Sequence, residues 1–242
     1  MDFCTDAGEG EELSRRLFRV EISQEAWKDD AAAPSTASIP IEANLGQKVI
    51  PTLMIAMRKL REGIVASNRV DDFAIQAYIF CIRLSILVKH MESYHPAILH
   101  LLKKMHPIQA LTSTELQEFA GYLVLDLACR QNDLAQAYSA RYYYALHDPR
   151  IDAVLRSLAH DNYFLFWRAR RSVDGHKAKL IEFAEDDMRK QTLKSLGRAY
   201  LSIDRISLEQ YTNAPWLSLT KDYGVGWQLE SNKVVIRKPK IR

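Results

Sequence analysis

From Lys48 to Tyr200 the chain reads as one amphipathic helix after another, joined by short turns. Over Ile50 to Ser67, Leu53, Met57, Leu60 and Ile64 recur at steps of four and three on one helix face. The next segment, capped by Asp71-Asp72, is apolar nearly all round through Ile75, Tyr78, Ile79, Ile82 and Ile86, as a helix buried on several sides requires. Pro96 is expected to start a third helix, with Pro107 just beyond its end near Met105. Thr112 with Glu115 has the form of a capping box and opens a helix to about Cys129. Gln131-Asn132-Asp133 turns the chain into a partner helix ending near Leu146. Asp148-Pro149 then restarts it with proline at the first helical position, and Asp161 restarts it again before Tyr163, Phe164, Phe166 and Trp167. A long helix from His176 to Tyr200 carries Leu180, Ala184, Met188, Leu193 and Leu196.

Beyond Tyr200 the period changes. Ile203 and Ile206 flank a short extended piece, Ser207 is expected to cap a helix over Leu208–Tyr211, and a second helix spans Ala214–Tyr223. Two strands, Trp227-Gln228-Leu229 and Val234-Val235-Ile236, then enclose the polar turn Glu230-Ser231-Asn232-Lys233. Helices followed by one β-hairpin is the order of a winged helix. The fold class expected is therefore mainly α: stacked antiparallel helix pairs, solenoid-like, followed by a small C-terminal winged helix with a β-hairpin. Glycine and proline together make 17 of 242 residues, about 7% against an ordinary 12% or so. A many-turned β-sandwich or a phosphate-cradling nucleotide fold needs more glycine.

Three regions follow. Residues 1–45 read as an acidic, loosely ordered segment: residues 9–28 have only a poor apolar stripe, and Asp29 to Ala43 is linker-like. Residues 46–175 form the helical-repeat part, and residues 176–242 the long helix, winged helix and basic tail. The net charge of +3 hides an asymmetry, since residues 1–30 hold nine acids and four bases, a balance of −5. The remaining residues carry +8, and the tail from Lys233 to Arg242 has five bases and no acid. Such a body permits contact with nucleic acid or an acidic protein. No stretch is apolar enough to span a membrane, the start lacks a secretory signal, and three scattered cysteines fit a reducing compartment. A nuclear or cytoplasmic location is expected.

No assembled chemistry is legible. Neither GxGxxG, GxxxxGK[ST] nor GxSxG occurs. His90, His95 and His100 are five apart, which turns each about 140° from the last, so they do not share a face as metal ligands. Glu185-Asp186-Asp187 reads as a solvated helix face, and Cys129 as a core thiol. The sequence is thus read as non-catalytic, with no metal, cofactor or small-molecule substrate. The aromatic set Tyr138, Tyr142, Tyr143, Tyr144, Tyr163, Phe164, Phe166 and Trp167, interleaved with arginines, is either a base-stacking surface or helix-pair packing.

Three segments in series carry a resemblance. These are Glu118-Phe119-Ala120-Gly121-Tyr122, then Asn162-Tyr163 with Phe166-Trp167-Arg168, then Met188-Arg189-Lys190 with Leu193, Leu196 and Ala199-Tyr200. Together with the winged-helix order they resemble PCI domains, the scaffolding modules of the proteasome lid, the signalosome, translation initiation factor three and the mRNA-export machinery. The GANP-type branch is the most similar. Ile203-Asp204-Arg205 and Tyr223 to Ile236 also resemble the small PCI subunits of the signalosome, lid and initiation factor. The resemblance implies a non-catalytic scaffold in mRNA export or RNA processing, paired with another PCI subunit, often with a small acidic protein, and contacting RNA or DNA. The alternative it implies is a purely protein–protein subunit. The interface residues would be Trp227, Gln228, Leu229, Val234, Val235 and Ile236. The nucleic-acid contacts would be Lys221, Lys233, Arg237, Lys238, Lys240 and Arg242.

Overall fold

The computed structural model describes residues 41–237, with side chains from Ile50 onward. Over that range the protein is mainly helical and ends in a three-stranded antiparallel sheet. It divides into two compact units on either side of Ser113. The first unit contains α1 (Ile41–Ala66), α2 (Asp72–Leu87) and α3 (Met91–His100), the last running on into a π-helical turn over Leu101–Met105. The second contains α4 (Ser113–Leu125), a π-helical turn over Asp126–Arg130, α5 (Leu134–Tyr143), α6 (Pro149–Ala159), α7 (Tyr163–Ser172) and α8 (Gly175–Ala199). After α8 come β1 (Ser202–Asp204), α9 (Arg205–Thr212), α10 (Trp216–Lys221), β2 (Gln228–Glu230) and β3 (Lys233–Val235).

Short polar side chains set where the helices begin. Asp71, Asp133, Asp148, Asn162, Asp174 and Asp204 each precede a helix and accept a backbone N–H from its first turn. Each such cap stabilises its helix by about 1 kcal/mol. The chain reverses after the helices through residues in the left-handed region: Asn68, Lys89, Asn132, Ala145, Asp161 and Asn213. Asn and Asp tolerate that conformation because their side chains bond locally; Lys89 and Ala145 hold it against their own preference.

Several expectations shift by a few residues for physical reasons. Asp161 is the left-handed turn residue and Asn162 the cap, because the cap must be extended rather than left-handed. Asp204, not Ser207, caps α9, accepting from both Ile206 and Ser207. Pro96 lies inside α3 rather than at its start, since the Lys89 turn has already launched the helix at Met91. Of the expected loose segment 1–45, residues 1–40 lie outside the described residues, and the last five belong to the backbone of α1.

The first unit buries the all-round apolar α2 between its neighbours. Met57 of α1 packs on Cys81 and Leu84 of α2, and α2 packs on α3. His100 stacks on Tyr78 with ring centroids 4.9 Å apart. In the second unit the first motif segment becomes core: Phe119, Ala120, Gly121 and Tyr122 are all buried, and the phenol of Tyr122 donates to Glu118 at 2.7 Å. A Cβ on Gly121 would stand 2.8 Å from Cδ1 of the fully buried Ile151, so α4 and α6 meet at a distance that glycine sets. The helix expected to run straight to Cys129 instead widens into the π-helical turn. That turn buries Asp126 completely, with its carboxylate accepting from Arg130 at 2.6 and 2.7 Å and from Gln131 at 3.0 Å. Burial pushes the Cys129 thiol pKa upward, with the charge of Asp126 adding to it, so this cysteine is an inert core thiol.

Two predictions follow from this packing. Gly121→Leu forces Ile151 out of its place and lowers stability by about 1–3 kcal/mol, measured by urea denaturation. Burial, with Lys104 adding, holds the His100 imidazole below its ordinary pKa near 6.5. The unfolded chain therefore takes up that proton first as pH falls, so this share of stability is complete above about pH 6.5 and lost below it. Melting temperatures of His100→Gln should fall less steeply between pH 7 and 5 than those of the parent chain.

Candidate interface at the carboxyl-terminal sheet

The sheet has the order β1-β3-β2, both pairings antiparallel. Ile203 and Leu229 both lie opposite Val234, and Asp204 and Glu230 both lie opposite Lys233. The expected two-strand hairpin is thus joined by a third strand, the extended piece around Ile203. Ser231, left-handed at φ 56°, and Asn232 make the two-residue turn. Asn232 is tied back to β1: its side chain donates to Asp204, and its carbonyl accepts from Arg205.

Beneath the sheet lies a small core. Leu193 and Leu196 of α8 meet Ile203, Leu208, Leu219 and Val234, with Tyr211, Trp216, Tyr223 and Trp227 closing over them. Gly197 lets Trp227 lie against α8, because a Cβ there would stand 3.3 Å from the indole Cζ2. The residues expected at a protein interface therefore divide. Val234 is fully buried, and β3 is the central strand, so the backbone of Val234 and Val235 is used within the sheet. Trp227 and Ile236 are half-buried against the core. Gln228 and Leu229 stand exposed on β2, the edge strand. In a two-residue hairpin the residues flanking the turn exchange hydrogen bonds, so the N–H and C=O of Leu229 point away from β3. Tyr200, Leu201, Ile206 and Leu217 add exposed apolar surface on this same module.

The expected nucleic-acid contacts divide as well. Lys221 and Lys233 are exposed and form no ion pair among the described residues. Arg237 is spent inside the protein, donating to the carbonyls of Gly197 and Arg198 at 2.5 and 3.0 Å. It thereby satisfies the open C-terminal end of α8, where a cation is favoured. Lys238, Lys240 and Arg242 lie outside the described residues.

One group that sequence reading missed organises this module. Arg189 on α8 donates to Glu185 at 2.7 Å, Asp186 at 3.1 Å, the Thr212 carbonyl at 3.2 Å and the Tyr223 hydroxyl at 3.2 Å. Its guanidinium also lies 5.1 Å from the ring centre of Trp167, whose indole N–H donates to the Tyr211 carbonyl at 2.9 Å. Burial opposes the charge on Arg189, but Tyr223 and Glu185 outweigh it and raise its pKa above the ordinary value. The acidic run is accordingly a solvated face except at its first member. Glu185 is buried between Arg170 and Arg189, whereas Asp186, which accepts from Tyr223 at 2.6 Å, and Asp187 both stand largely in solvent.

The aromatic set also separates by position. Phe166 and Trp167 are core, and Tyr163, Phe164 and Tyr211 form one ring cluster. Tyr142 and Tyr143 at the end of α5 are left in solvent. Arg141 beside them is held by Asp152 through two hydrogen bonds. Among the described residues, no His, Cys, Asp and Glu cluster suits a metal ion, and no helix is long and apolar enough to cross a membrane. No protein-family model matches this chain, and no curated protein matches it.

Removing the Arg189 side chain leaves Glu185 half-paired and frees the Thr212 carbonyl. Arg189→Ala should cost about 2–4 kcal/mol. Hydrogen exchange should speed up first in α9, α10 and the sheet, and least in α6.

Proposed function

We propose that this chain is a non-catalytic scaffold subunit of the PCI type, most similar to the GANP-type branch. In this reading it pairs with a second PCI protein through its C-terminal module and contacts nucleic acid along the hairpin and the tail. The observation that carries the reading is the element order at the C-terminal end. A long helix leads into strand, helix, helix, strand and strand over one small core, which is the order of a winged helix. The β2 edge, with the outward backbone groups of Leu229, supplies a surface for strand addition by a partner. Lys221 and Lys233 supply phosphate contacts, with Lys238, Lys240 and Arg242 following in sequence.

One observation favours a second reading, a purely protein–protein subunit of a signalosome, lid or initiation-factor type complex. Arg237, expected among the nucleic-acid contacts, is already engaged by the end of α8. The two readings share the scaffold and differ in nucleic acid.

Affinity purification of the tagged protein from its own cells, with and without nuclease, separates them. Recovery of a second PCI protein with export or splicing factors supports the first reading, and recovery of lid, signalosome or initiation-factor subunits supports the second. In vitro, changing Lys221, Lys233, Lys238 and Lys240 together to Glu should weaken single-stranded RNA binding at least tenfold at 50 mM salt and flatten its salt dependence. Binding unchanged by those substitutions would remove nucleic acid from the proposal.

A further inference from the structure

The first unit holds a groove of about 540 Å³ between the C-terminal half of α1 and the start of α3. Its apolar wall is Val65, Ala66, Pro96 and Ala97. Its polar wall is unbalanced. Arg61 gives one N–H to the Ser93 carbonyl at 2.5 Å, has no carboxylate partner among the described residues, and buries an Nε without an acceptor. The Nδ1 of His100 is likewise buried and unpartnered. Two acids also line the groove: Glu62 is engaged by Arg58 at 2.7 Å, and Glu92 is exposed. Apolar surface beside a guanidinium that lacks a counter-ion suits an acidic segment with interspersed hydrophobic residues.

The chain carries such a segment. Residues 1–30 have a balance of −5 and include Leu13, Leu17, Phe18, Ile22 and Trp27, whereas residues 41–113 have nine bases and five acids. The reach is sufficient. Residues 31–40 extend to roughly 33 Å, and α1 rises roughly 30 Å between Ile41 and Arg61. Tethering at that distance gives an effective concentration on the order of millimolar, so even a weak contact is populated. We propose that residues 1–30 dock in cis on this groove, their carboxylates answering Arg61 and their apolar side chains covering Val65, Ala66 and Pro96. This inference stands apart from the scaffold reading and fails or holds independently of it.

The full chain tests it. Cys81 and Cys129 are buried, and burial pushes the Cys81 thiol up to about 11, so a maleimide nitroxide selects Cys4. In isotope-labelled protein, the methyl signals of Val65, Ala66 and Ala97 should lose at least half their intensity, while that of Ile108 is little changed. Changing Glu9, Glu11 and Glu12 to Gln leaves every described residue intact and should restore those signals, as should 0.5 M sodium chloride; Arg61→Gln should do the same. Attenuation that survives the Glu9, Glu11 and Glu12 changes overturns the proposal. So does attenuation spread evenly or centred on another surface. Attenuation seen only when spin-labelled and isotope-labelled chains are mixed also overturns it, since docking would then be between copies.

Discussion

Arg189 is the point on which the C-terminal module turns. One guanidinium joins α8 to the end of α9 through the Thr212 carbonyl, to the loop after α10 through Tyr223, and to α7 through the face of Trp167. Five fixed donors in a planar fork can serve several acceptors at once, which the single ammonium of lysine on its flexible stem does less well. The carboxylates it meets are supplied from the same helix, so the charge is balanced locally before the module packs against it. The small core of Leu196, Ile203, Leu208, Leu219 and Val234 could not orient itself by hydrophobic contact alone, because such contact has no preferred direction. The hydrogen bonds of Arg189 give it one.

The same economy decides which charges remain for partners. Arg141, Arg170, Lys177 and Arg189 are bound to carboxylates, and Arg237 to the end of α8. Among the described residues, Lys221, Lys233 and the edge of β2 stay outward near the sheet, as do Lys194 and Arg198 on α8. In the first unit Arg61 stands beside an apolar wall with no carboxylate partner among the described residues. Surface chemistry in this protein is therefore the remainder after folding, and that remainder differs between the two units.

Much of the helical order was legible beforehand because its signals are local. A cap such as Asp71 or Asp148 acts within three residues, and the apolar stripe of α1 needs no knowledge of what it packs against. The signals that misled were local choices overridden by neighbours. Ser207 has the right chemistry to cap α9, yet Asp204 three residues earlier accepts both N–H groups. The acidic run Glu185-Asp186-Asp187 looks like a solvated face in sequence, because the arginines that bury its first member lie four residues ahead of it and fifteen behind. The extended piece around Ile203 was legible, but its pairing with β3 was not, since a three-residue strand carries too little alternation to show which strand it joins.

What the sequence by itself determined is the helical class, the position of most turns, the core character of Cys129 and of the all-round apolar α2, and the presence of a hairpin near the end. Each depends on propensity, capping or periodicity over a few residues. Tertiary structure alone decided that β3 is the central strand with Val234 beneath it, that Arg237 closes α8, and that Arg61 lines a groove with no carboxylate partner among the described residues. Those outcomes depend on which distant residues meet: Arg237 reaches back 40 residues to Gly197, and Arg61 reaches 32 residues on to Ser93. No local pattern encodes such a meeting, because it is the packing of whole elements that brings those atoms within hydrogen-bond range.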